Sequence, residues 1–82
     1  MPYIKKEARR NFDSLDQVWP KTMGELTYCV YQLMLGYMFE RGACFQTHGE
    51  ILGALEAAKL EWYRRKVAPY EDTKIKENGD VV

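Results

Sequence analysis

The stretch Thr47–Asp72, THGEILGALEAAKLEWYRRKVAPYED, decides the fold class. Thr47 and Glu50 stand in the pattern S/T-x-x-E, in which the threonine oxygen and the glutamate carboxylate take up the free amides of a helix start. Ile51, Leu55, Ala58 and Trp62 follow at spacings of four, three and four, which lines them along one face of an α-helix. Leu52 and Tyr63 widen that face, and Glu56, Lys59, Glu61, Arg64, Arg65 and Lys66 occupy most of the rest. Pro69 lacks an amide proton and disfavours helix at Ala68, so the pattern predicts a helix from Thr47 that stops near Val67.

A second helix is predicted upstream. Thr22 and Glu25 repeat the capping pattern, and Gly42 marks a stop just after Arg41. Leu26, Val30, Leu33 and Tyr37 mark one face between them, with Cys29, Met34 and Met38 beside it and Tyr31, Leu35 and Phe39 elsewhere on the wheel. A helix that is apolar nearly all round is buried nearly all round. That is hard to arrange inside an 82-residue monomer. Tyr31, Met34, Leu35, Met38 and Phe39 are therefore candidates for an oligomer interface. Gly36, inside the helix, has room for the close approach of another backbone.

Short connectors complete the architecture. The link 43–46 predicts an antiparallel helical hairpin, about 23–41 and 47–67, in one all-α domain over residues 1–82. Upstream, Lys5 to Asn11 reads as a charged helical turn or two, followed by a segment capped by Asp13 or Ser14. Phe12, Leu15, Val18 and Trp19 form its buried side, and Pro20 closes it. Downstream, Pro69 to Asp72 reads as a turn and the tail as turn-rich, with Asn78-Gly79 as a turn signal. Val81 and Val82 are placed beside Tyr3 and Ile4. Oligomerisation is expected to complete the fold, because 46% of residues are hydrophobic and 13% aromatic.

Composition narrows the function classes. Twelve acidic and twelve basic residues balance, so no net charge draws the chain to nucleic acid or anionic membrane at long range. No run reaches the ~18 apolar residues of a membrane span. The N-terminus turns charged before any apolar run forms, so no signal peptide is read. Cys29 and Cys44 read as reduced thiols in apolar surroundings, and the expected location is cytoplasmic. His48 is the sole histidine, no H-E-x-x-H or C-x-x-C pattern occurs, and Ser14 is the sole serine. The reading is of a non-enzymatic protein without metal or cofactor.

Two sets of residues remain as ligand candidates. Tyr63, Arg65 and Tyr70 join Trp62, Glu71 and Asp72 in an aromatic–arginine group that can stack a planar ring and pair a phosphate. Thr47 and His48, with Gly49, at a helix start, offer amides to an anion. Against these stand plain structural readings: a core role for Trp62, a self-cap for Thr47, a solvent-facing His48. Arg64, Arg65 and Lys66 equally complement the negative end of a helix dipole.

The segments MPYIKKE, GELTY and KLEWYRRKVAPYEDTKIKENGDV resemble a family of short, uncharacterised proteins of phages and of bacterial and archaeal genomes. The resemblance implies a small helical protein in a prokaryotic or host cytoplasm. Small phage proteins of this kind often modulate host machinery, including host immunity. The leading expectation is thus a homo-oligomeric interaction protein, acting on a host protein. The alternatives are sequestration of a nucleotide-like signalling molecule between subunits and a DNA-binding regulator. For the last, Lys5, Lys6, Arg9 and Arg10 would join Arg64–Lys66.

Overall fold

The computed structural model describes residues 5–8 and 19–82. The fold is all-α. Helix α1 spans Met23–Arg41, α2 spans Phe45–Trp62, a π-helical turn spans Tyr63–Val67, and α3 spans Ala68–Asn78. Residues 6–8 are helical, with the Ala8 amide on the Lys5 carbonyl at 3.0 Å. The expectations for Phe12, Asp13, Ser14, Leu15 and Val18, and for the arm at Tyr3 and Ile4, lie outside the described residues. The chain divides into two compact units, Tyr3–Leu52 and a second containing Gly53–Val82.

Helix α1 begins and ends where its sequence signals place it. The Glu25 amide donates to Thr22 Oγ1 at 3.1 Å, and the Glu25 carboxylate receives the Lys21 amide at 2.8 Å. The box closes one residue further back than its usual form, on the amide before the cap. At the other end Gly42 adopts φ 90° and ψ 144°, and its amide donates to the Met38 carbonyl at 2.7 Å. Side chains rarely tolerate that backbone conformation, so glycine is the residue that lets the chain leave the helix there.

Helix α2 corrects the reading of Thr47 as a cap. It starts two residues earlier, at Phe45, and its first turn closes with the His48 amide on the Cys44 carbonyl at 3.0 Å. Thr47 therefore sits inside the first turn. There it is 3% exposed, the one buried polar residue among those described. Glu50 turns away from the helix start to other partners. The S/T-x-x-E pattern occurs both where a box forms and where its residues do something else.

Pro69 does not end the helix, and this is the largest correction. Helical backbone runs on through it to Asn78, so the turn at Pro69–Asp72 and the turn-rich tail give way to α3. An α-helical Pro69 would lack an amide bond and press its ring on the carbonyl four residues back. The chain avoids this by widening the turn before it. The Ala68 amide bonds to the Tyr63 carbonyl, five residues back, and Pro69 then occupies the first turn of α3, where its missing amide costs nothing. Gly79 closes α3 with its amide on the Ile75 carbonyl at 2.8 Å, so Asn78-Gly79 is a helix end.

The expected core is also revised. Among the described residues no hydrophobic side chain is buried. Val30, Met34, Leu35, Met38, Ile51 and Leu55 are half-buried. Trp19 is 67% and Trp62 64% exposed, so neither seats a core. Cys29 and Cys44 are exposed thiols. Val81 and Val82 stand in solvent, with both of their amides on Asp80 Oδ1 in an Asx turn. No described helix is long and apolar enough to cross a membrane.

Candidate functional site

In Tyr3–Leu52 the polar side chains converge on Glu50. Tyr37 Oη donates to Glu50 Oε1 at 2.7 Å, and Gln46 Nε2 donates to Oε2 at 3.2 Å. The Arg41 guanidinium lies 3.7 Å from Oε1 and 5.6 Å from the Tyr37 ring centroid. These contacts tie the end of α1 to the start of α2 across a three-residue link. The Tyr37 hydrogen bond, then that of Gln46, holds the Glu50 carboxyl below its ordinary value, and the Arg41 charge adds to this. The same bond to Glu50 raises the Tyr37 phenol. The network joins Tyr37 and Arg41 of α1 to Gln46 and Glu50 of α2.

Beside it lies an apolar cleft of about 350 Å³ lined by Tyr31, Met34, Leu35 and Met38 of α1 and His48, Ile51 and Leu52 of α2. Four of the five interface candidates thus face the start of α2. Phe39 does not line the cleft and is 76% exposed. His48 is on the cleft wall. Thr47 is packed beneath the helix start, with Cys44 Sγ 3.4 Å from its Oγ1. That hydroxyl, then the Thr47 and Gln46 amides, lowers the Cys44 thiol below its ordinary value. Thr47 is 3% exposed and its hydroxyl faces Cys44, so its side chain offers little surface to a ligand.

In Gly53–Val82 a broader cleft of about 650 Å³ is lined by Tyr63 and Tyr70, with Lys74, Ile75, Glu71, Asp72 and Asp80 among its walls. The π turn builds this arrangement. Its extra residue makes positions eight apart fall two turns apart on one face, so Tyr63 Oη reaches the Glu71 carboxylate. That bond raises the Tyr63 phenol. Lys74 Nζ lies 5.5 Å from the Tyr70 ring centroid and 3.1 Å from Glu77.

The structure brings Tyr63 and Tyr70 together, as the sequence suggested, but Arg65 does not line their cleft. Its Nε donates to Glu61 Oε2 at 2.7 Å, while Arg64 grips the same carboxylate at 3.0 Å. The Arg65 bond first, then Arg64, holds the Glu61 carboxyl below its ordinary value. The basic run is therefore partly neutralised within its own helix. Sequence reasoning missed Lys74 and Asp80, because their approach to Tyr63 and Tyr70 depends on α3 continuing past Pro69. No group of three or more potential metal ligands occurs among the described residues.

A family model described as "Domain of unknown function (DUF6899)" matches residues 1–81, and the chain belongs to that family. No curated protein and no solved structure matches the chain.

Proposed function

We propose that this family member is a non-enzymatic binding protein that works as a homo-oligomer. The observation that carries the reading is the state of α1. Between Glu25 and Glu40 it has no charged residue, yet Leu26, Tyr28, Tyr31, Leu33 and Phe39 are each more than half exposed. A solvated helix ordinarily presents charge on its outer face. Short helices draw most of their stability from packing of an apolar face. An uncharged, exposed α1 is therefore a surface awaiting cover, and a second copy is always at hand. Modulation of a host protein, the role implied by the sequence resemblance, would use surface left over after assembly.

Sequestration of a nucleotide-like ligand draws less support. The Tyr63–Tyr70 cleft has rings to stack a base. Its walls, however, carry three carboxylates, on Glu71, Asp72 and Asp80, against the single cation of Lys74. That balance repels phosphate. DNA binding draws less still, given zero net charge and Glu61 on both arginines.

Thermal unfolding across a hundredfold range of protein concentration tests the proposal. A folded state that depends on association melts at higher temperature as concentration rises. A melting temperature independent of concentration would contradict it.

A further inference from the structure

We infer that the face of α1 turned away from α2 is the self-association surface, and that two copies cross there antiparallel with Gly36 at the contact. The inference rests on the homo-oligomer reading and specifies its geometry. At 100° per residue, Cys29, Gln32, Leu33, Phe39 and Glu40 all lie within about 60° of Gly36 on the helical wheel. The cleft residues Tyr31, Met34, Leu35 and Met38 lie roughly 100–160° away, toward α2. The two sides of α1 thus have different surroundings, and the Gly36 side faces away from α2.

Gly36 itself is the second observation. A Cβ placed on it would meet no atom within 4 Å among the described residues. No described residue therefore requires glycine in the middle of this helix, where glycine is unfavourable. A notch there becomes useful when another backbone presses on it. Its rims are Leu33 and Phe39, each 76% exposed. These are ridges of the kind that interdigitate in helix packing.

The available area suits a second copy. Tyr28 and Phe39 are 65% and 76% exposed on this half of the helix. At ~200 Å² per ring they offer roughly 280 Å², about a third of the ~800 Å² each partner of a stable interface buries. Leu26, Leu33, Cys29 and Gln32 extend it.

Charge selects the direction. A parallel pair would set Glu25 against Glu25 and Glu40 against Glu40 across the seam. An antiparallel pair centred on Gly36 brings residues level when their numbers add to about 72. Gln32 then meets the partner's Glu40, and its amide can donate to that carboxylate. Leu33 and Phe39 come level on either side of the notch. The surface is self-complementary, as a two-fold interface requires.

The test uses the full chain in a Cys29→Ser, Cys44→Ser background. Under mild oxidation Gly36→Cys is expected to form a covalent dimer, since the crossing brings position 36 within disulfide reach of itself. Gln32→Cys and Glu40→Cys are expected to link to one another in a mixture but not each to itself. Gly36→Leu, with helix content retained by circular dichroism, is expected to raise the dissociation constant of the association at least tenfold. If the parent associates, yet Gly36→Cys does not link and Gly36→Leu associates as tightly, the crossing is wrong while the homo-oligomer stands. Self-linking of Gln32→Cys would overturn the antiparallel direction. An odd subunit count would overturn the two-fold pairing. A monomeric parent would overturn both the crossing and the homo-oligomer, leaving α1 to a different protein.

Discussion

Thr47 shows how one side chain can serve a different purpose from the one its motif suggests. Buried beneath the first turn of α2, its hydroxyl meets the exposed Cys44 thiol and favours the thiolate. Cys44 is therefore expected to react with iodoacetamide faster than Cys29 at pH 7, and Thr47→Val is expected to reduce its rate several-fold. Equal rates for the two thiols, read by mass spectrometry of peptides, would contradict this. Glu50 makes a second residue-scale prediction. Its carboxyl is lowered in the fold, so its contribution is present above the unfolded value of about 4.3 and is lost as pH falls through the lower folded value. Tyr37 is raised, so its contribution holds below about 10 and is lost as pH rises through the higher folded value. The α1–α2 link is expected to be firmest between those limits. Glu50→Gln is expected to flatten the acid limb of a melting-temperature profile; an unchanged limb would place the acid sensitivity elsewhere.

Among the elements, α1 was fully legible, because capping, apolar composition and a stop glycine agree with one another. Helix α2 was legible in type but not in its ends. The Thr47 pattern drew its start two residues late, since a capping box and an ordinary first-turn threonine share the same letters. Pro69 drew the end of the continuous helical run at Val67, eleven residues short of Asn78. Proline forbids an α-helical bond, yet it does not forbid a helix that widens by one residue before it, and no local spacing announces that widening. The same step hid Lys74 and Asp80 from the candidate cleft. Pro69→Ala returns an amide to position 69 and removes the reason for the π turn. The segment Tyr63–Val67 is expected to rewind to α-helix, turning Glu71 away from Tyr63. Ultraviolet titration then reads the Tyr63 phenol returning toward its ordinary value. A phenol that stays raised would mean the π turn has another cause.

For the molecule as a whole, the decisive fact is where apolar side chains are placed. The sequence carries enough of them to expect a surplus, and among the described residues none is buried. The apolar residues of α1 were legible as a group but not by face. Periodicity shows that several faces are apolar, and only the structure shows that Tyr31, Met34, Leu35 and Met38 turn toward α2 while Leu33 and Phe39 do not. The account therefore stands on association between copies. The measurement that tests it most directly is native mass spectrometry of the full chain at low micromolar concentration. The account predicts an oligomer with an even number of subunits and no added mass. A monomer that also unfolds cooperatively at that concentration would contradict it.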